Sequence, residues 1–150
     1  MDIDIKEKLQ AFKKCCHGHG LRITPQRIAI YKKLSASDKH PSATEIYRQI
    51  KNKFPSVSLG TVNSTLITFT KIGLARIVEA SGDPKRFDPD TKPHHHFRCL
   101  KCSRIIDFYN TAYDNIKVPE EIAEKCFVSR KKVYLEGLCD RCRNKAKACP

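Results

Sequence analysis

The sequence predicts an α+β fold in two parts, and three observations predict it. Stretches within residues 1–90 repeat apolar side chains at helical spacing, and two short apolar runs around Ser81-Gly82-Asp83-Pro84 follow them. A segment at residues 90–93, flanked by Pro89 and ending in Pro93, then reads as a hinge. Beyond it lie two Cys-x-x-Cys pairs. Residues 1–90 therefore read as a winged helix-turn-helix, and residues 91–150 as a small α/β unit held by a four-cysteine zinc site.

The elements follow in order. Ile5, Leu9, Phe12 and Cys16 form one face of a first helix, which Gly18 and Gly20 stop. Thr24-Pro25 starts the second, with the hydroxyl as cap and the proline at the first helical position; Ile28, Tyr31 and Leu34 face inward. Ser42-Ala43-Thr44-Glu45 is a capping box opening a third helix lined by Ile46, Ile50 and Phe54 and ended by Pro55. Ser58 caps a fourth helix with Leu59, Val62, Leu66 and Phe69 inward. Its outward positions are Gly60, Thr61, Asn63, Ser64 and Thr68. An ordinary solvated helix carries Glu and Lys pairs there, whereas small uncharged polar groups suit a helix that meets base edges in a DNA groove. Residues 74–80 and 85–88 pair as the wing.

In the second part, residues 97–99 and 105–108 read as strands around a Cys-x-x-Cys turn, 119–127 as a helix and 132–135 as another strand. So small a unit cannot bury enough apolar surface alone, so a metal or a second subunit has to support it.

Charge and cysteine usage narrow the class. The chain has 29 Lys and Arg against 16 Asp and Glu, net +13, with +7 in residues 1–90 and +6 in residues 91–150. A basic excess shared by both parts fits a partner made of phosphates. No run of 18 apolar residues spans a membrane, and the acidic start Met1-Asp2-Ile3-Asp4 is unlike an export signal. The expected location is the cytoplasm, where thiols stay reduced, so the 8 cysteines point to metal before disulfides.

Cys99-Leu-Lys-Cys102 and Cys139-Asp-Arg-Cys142 give four thiolates on two tight turns, the tetrahedral set of structural zinc; a redox pair needs only one such turn. Four sulfurs leave no open coordination position, so this site holds the fold and does not catalyse. Cys16 and Cys126 fall on apolar helix faces as small core residues. Cys15 with His17 and His19 makes a weak metal-binding tract, and Cys149 has no assignment.

His94-His95-His96 begins just after the hinge. On a strand His94 and His96 share a face and His95 takes the other. Asp88, Asp107 and His40 are further N/O donors, a chemistry that suits Fe²⁺ or Mn²⁺ where thiolates suit Zn²⁺. On spacing alone, a solvated histidine run beside unrelated acids is the other reading.

Several motifs in one order resemble the ferric uptake regulator family. They are Gly20-Leu21-Arg22-Ile23-Thr24-Pro25-Gln26-Arg27, His40-Pro41-Ser42-Ala43-Thr44-Glu45-Ile46-Tyr47, residues 58–65 with Gly73-Leu74, and Arg86-Phe87-Asp88. His94-His95-His96-Phe97-Arg98-Cys99-Leu100-Lys101-Cys102, Ile105-Ile106-Asp107-Phe108 and Glu136-Gly137-Leu138-Cys139-Asp140-Arg141-Cys142 complete the set. The resemblance implies a homodimeric repressor whose winged helices bind a palindromic double-stranded operator and whose C-terminal unit dimerises around structural zinc. It implies DNA contacts from Arg22, Arg27, Thr61, Asn63 and Ser64.

It also implies a regulatory Fe²⁺ or Mn²⁺ on His40, Asp88, His94, His96 and Asp107, as in the peroxide-sensing branch. Iron-catalysed oxidation of His40 or His94 would then release the operator. Iron-uptake members usually have Glu at Asp88 and Asp107, and late histidines where Lys131 and Leu138 stand. The family usually has Tyr where Asn63 stands, and Asn instead pairs with adenine edges. An iron- or zinc-responsive member of the same family is the alternative. A small metalloenzyme is a distant one: no His-Glu-x-x-His, no His-x-Glu with Pro-Cys-x-x-Cys, and no Gly-rich phosphate loop occurs, so no catalytic residue is assigned.

Overall fold

The computed structural model describes the backbone of residues 2–78 and 84–147 and the side chains of 4–78 and 84–145. The chain divides into two compact units, Met1–Thr91 and Lys92–Pro150.

The first unit runs α1 (Asp2–Gly18), α2 (Pro25–Ser35), α3 (Ala43–Ile50), α4 (Leu59–Lys71), β1 (Arg76–Ile77) and β2 (Phe87–Asp88). Local chemistry sets most of these boundaries. Gly20 has φ +64, and the N–H groups of Gly20 and Leu21 close back on the His17 and Cys16 carbonyls at 3.1 and 2.8 Å. That left-handed closure ends α1, with Gly18 still inside the helix. The Thr24 hydroxyl accepts from the Arg27 N–H at 3.2 Å, and the Ser58 hydroxyl accepts from Thr61 N–H at 3.0 Å. At α3 the capping box closes both ways: Glu45 N–H reaches Ser42 Oγ, and Ser42 N–H donates to the Glu45 carboxylate at 2.7 Å.

The core of this unit gathers Phe12, Cys16, Ile30, Leu34, Ile46, Ile50, Val62, Leu66, Phe69 and Phe87. Phe12 stacks on Tyr31 with ring centres 4.5 Å apart and meets Phe69 edge-on at 5.6 Å. Two expected core positions lie outside it. Ile5, in the first turns of α1, is 46% exposed, and Leu59, at the start of α4, is 41% exposed. Helix α3 stops at Ile50 rather than running on to Phe54. Lys51 caps it, and the Phe54 N–H still bonds the Ile50 carbonyl at 3.0 Å, so Phe54 packs on the core from a turn. Pro55 disfavours helical backbone at the residue before it. The wing is shorter than its apolar pattern: Arg76 pairs with Asp88 and Ile77 with Phe87, and Val78 N–H adds a bond to the Arg86 carbonyl. Most of its turn, residues 79–83, lies outside the described residues.

The second unit holds β3 (His95–Cys99), β4 (Ile105–Phe108), α5 (Thr111–Asp114), α6 (Glu120–Ala123), β5 (Tyr134–Gly137) and α7 (Asp140–Lys147). Its sheet has the order β4-β3-β5, with β4 antiparallel and β5 parallel to β3. Three expectations change here. The helix at 119–127 is a single turn at Glu120–Ala123 that lacks a side-chain cap and has no buried residue. Cys126 is exposed and not a core residue: among the described residues the segment around it, 119–131, is almost wholly exposed. The last strand covers 134–137 rather than 132–135, pairing His96 with Tyr134 and Cys99 with Gly137. That register carries the chain straight from β5 to Cys139 beside Cys99. Helices α5 and α7 had no sequence signal; α5 is one turn capped by the Asn110 side chain, and α7 is almost wholly polar.

Candidate functional site

The four cysteines meet in the second unit. Their sulfurs lie within 4.8 Å of one another, with Cys102 Sγ 3.7 Å from Cys139 Sγ. A Zn–S bond of about 2.3 Å gives a tetrahedron with edges of about 3.8 Å, so the spacing already fits a zinc ion. Cys99, Cys139 and Cys142 are buried and form this unit's small core with Phe97 and Ile106.

Local hydrogen bonding polarises the set. The Cys139 backbone N–H, 3.4 Å from Cys99 Sγ, and then that of Cys102 bring the Cys99 thiol down to about 6. The Cys142 N–H lowers Cys139. Burial first, and the neighbouring sulfurs next, push Cys142 up to about 12. Four thiolates, three of them buried, repel each other unless a cation sits among them, a charge that Zn²⁺ would supply.

The N/O donors form a group in each unit. In the second, His94 Nε2 stands 2.9 Å from His96 Nε2, and Asp107 Oδ1 lies 3.7 and 3.3 Å from them. His94 Nδ1 is 2.8 Å from the Lys92 carbonyl, which can only accept. Nδ1 therefore carries a proton, and Nε2 is turned toward His96 and Asp107. In the first unit, the buried His40 and Asp88 approach to 3.9 Å between Nε2 and Oδ1. His40 has φ 50, the left-handed region that side chains other than glycine seldom occupy.

His95 takes the other side of β3, as strand alternation predicts, but its partners were not legible. Its Nδ1 accepts from the Val133 N–H at 3.0 Å, and Nε2 lies 3.1 Å from Asp114 Oδ1 in α5. Both depend on segments with no clear pattern of their own. The tract at the end of α1 is looser: Cys15 Sγ is 3.8 Å from His19 Nδ1 but donates to the Ile72 carbonyl at 3.2 Å, and His17 is exposed. Cys149 lies outside the described residues.

On α4, Gly60, Thr61, Asn63 and Ser64 are exposed, while Thr68 is half-buried. Thr61 Oγ1 is 2.9 Å from Ser58 Oγ, and Ser64 Oγ donates to the Thr61 carbonyl. Arg22 is exposed, and Arg27 is half-buried and donates to the Arg22 carbonyl.

Known proteins resemble this chain in sequence and in fold. The peroxide-responsive repressor PerR of Staphylococcus epidermidis is 32% identical over 143 residues, 95% of this chain and 93% of that protein. The peroxide operon regulator of Bacillus subtilis is 34% identical over 142 residues, 95% of each chain. The ferric uptake regulator Fur of Helicobacter pylori superposes with a TM-score of 0.71 at 22% identity, covering 93% of each chain, which is a likeness of fold. The ferric uptake regulator family pattern itself matches residues 18–136. With that match and these relatives, the chain belongs to the ferric uptake regulator family.

Proposed function

We propose that this chain is a cytoplasmic, metal-dependent homodimeric repressor that binds a palindromic operator and is released from it by hydrogen peroxide. The observation that carries the reading is the separation of two donor chemistries in one chain: four sulfurs in one cluster, and buried imidazoles with carboxylates elsewhere. The sulfur set suits a permanent zinc, and the N/O set suits an exchangeable Fe²⁺ or Mn²⁺. Relatives that carry peroxide in their names, at 32 and 34% identity over nearly the whole chain, support the same reading.

In this proposal residues 1–90 bind DNA and residues 91–150 dimerise. Net charge +13 draws the protein to phosphate, Arg22 and Arg27 position it, and Thr61, Asn63 and Ser64 meet base edges. His40, Asp88, His94, His96 and Asp107 together form the regulatory ligand set. An ion that draws ligands from both units favours one arrangement of them, and DNA binding is linked to that choice. Bound iron supplies the electron chemistry with peroxide. The imidazole of His40 or His94 would take one oxygen atom from peroxide, the other leaving as water, and an oxidised ring would be a poorer donor.

The test is peptide mass spectrometry after peroxide treatment of the Fe²⁺ protein, with the Mn²⁺ protein as control and operator binding followed in parallel. Oxygen on His40 or His94 with iron, and none with manganese, is the expected result. Operator release with unmodified histidines would sink the reading and point to the thiols. Metal-controlled binding indifferent to peroxide would assign an iron- or zinc-responsive member of the family instead.

A further inference from the structure

We propose that Arg86 is the positioning residue for His40: its guanidinium clamps the backbone that carries this imidazole and so sets how the ring is offered to a divalent cation. The inference rests on the reading above that His40 is a regulatory ligand, and it assigns the element that holds that ligand in place.

The starting point is the backbone at His40. Its φ of 50 is left-handed, and the next residue is Pro41. A proline pushes the residue before it toward extended backbone, so this conformation is disfavoured twice. Such a conformation persists only where neighbouring groups over-determine it.

The neighbouring groups come from residues 86–88. Arg86 Nε donates to the His40 carbonyl, and Arg86 Nη2 donates to the Lys39 carbonyl at 2.5 Å. The Phe87 N–H donates to the Pro41 carbonyl at 3.0 Å, and Ser42 forms an antiparallel bridge with Arg86. Three successive carbonyls, at 39, 40 and 41, are thus held by donors from two adjacent residues. Glu45, whose carboxylate closes the α3 capping box on Ser42, is drawn down in pKa partly by the Arg86 charge.

Strand alternation links the clamp to the ligands. Phe87 points into the core and is fully buried, so Arg86 and Asp88 share the other side. That side carries both the guanidinium on the His40 backbone and the Asp88 carboxylate, 3.9 Å from His40 Nε2. One short strand therefore fixes the ring's backbone and supplies its carboxylate neighbour. A planar guanidinium can bind two carbonyls at once in fixed geometry; an ammonium can take either but does not impose the angle between them.

The test compares full-length Arg86→Gln, Arg86→Lys and His40→Ala with the native chain. The readouts are Mn²⁺ affinity by calorimetry, the d–d absorption of Co²⁺ at the same site, zinc content, and the melting temperature of the zinc-loaded protein without added Mn²⁺ or Co²⁺. Arg86→Gln should weaken Mn²⁺ by about 10- to 100-fold, the effect usual for losing a group that orients a metal ligand. Arg86→Lys should fall between, and both should change the Co²⁺ spectrum while keeping zinc. Native Mn²⁺ affinity in Arg86→Gln, with His40→Ala weakened, overturns the clamp and leaves the ligand reading intact. Native affinity in His40→Ala overturns the ligand reading and the clamp with it. A lowered melting temperature in both Arg86 variants, with an unchanged Co²⁺ spectrum, assigns Arg86 to fold support instead.

Discussion

His94 Nε2 and His96 Nε2 stand 2.9 Å apart, with Asp107 Oδ1 within 3.7 Å of both. Two imidazole nitrogens this close repel through their lone pairs unless a proton or a metal ion lies between them. With the His94 proton committed at Nδ1, the pair with its carboxylate is arranged to receive positive charge.

Removing that carboxylate should uncouple the two metal sets. Asp107→Ala is expected to weaken Mn²⁺ binding roughly tenfold or more, about 1.4 kcal/mol. Metal-dependent operator binding should fall with it, while elemental analysis still finds zinc. Zinc loss in this variant would contradict the division into sulfur and N/O sites.

The sulfur site should behave as the core of its unit. Cys139→Ser removes one of the three buried cysteines around which Phe97 and Ile106 pack. Zinc should be lost and size-exclusion chromatography should show the dimer failing. A dimeric, zinc-free variant would show that the sheet folds and pairs without the metal.

Two glycines two positions apart at the end of α1 should respond oppositely to alanine. Gly18 lies in the helix with nothing within 4 Å of an added Cβ, so Gly18→Ala should stabilise by about 0.5 kcal/mol. Gly20 has φ +64, so Gly20→Ala should cost about 1 kcal/mol. Urea denaturation of the two variants checks the contrast.

The α3 cap predicts an acid response. Burial raises the Glu45 carboxyl, but hydrogen bonds from the Ser42 N–H and hydroxyl, with nearby Arg86 and Arg48, outweigh it, so the net pKa is below 4.5. A carboxyl depressed in the folded state stabilises fully above its unfolded pKa and loses that contribution as pH falls through the folded value. Melting curves of Glu45→Gln should therefore lie below native at pH 6 to 7 and converge with it under strong acid. Ser42→Ala should lower stability by about 1 kcal/mol at neutral pH.

The features legible in the sequence were those decided within a few residues. Thr24, Ser42 and Ser58 cap the helices they were expected to cap because the bonds involved span only three residues. The two Cys-x-x-Cys turns were legible for the same reason. Ile5, Leu59 and Phe54 were misplaced because a helical period says which face is apolar, not where the neighbouring element ends. Residues 119–127 carry apolar groups at plausible spacing, yet among the described residues Phe127 is 94% exposed and left uncovered. The partners of His95 and the clamp at His40 join residues 19 to 47 positions apart, which no local pattern encodes.

The parallel pairing of β3 with β5 has a consequence for the order of assembly. Translation delivers the winged unit and the first cysteine pair well before residues 134–142 exist, so a nascent chain holds only half of its sulfurs. Until residues 139–142 emerge, Cys99 and Cys102 are the only members of the sulfur set on the chain, and pairing β5 with β3 then has to close a long loop. Scarcity of zinc during synthesis should then stall maturation at a single recognisable species: a chain with a finished N-terminal half and an open, aggregation-prone sheet edge.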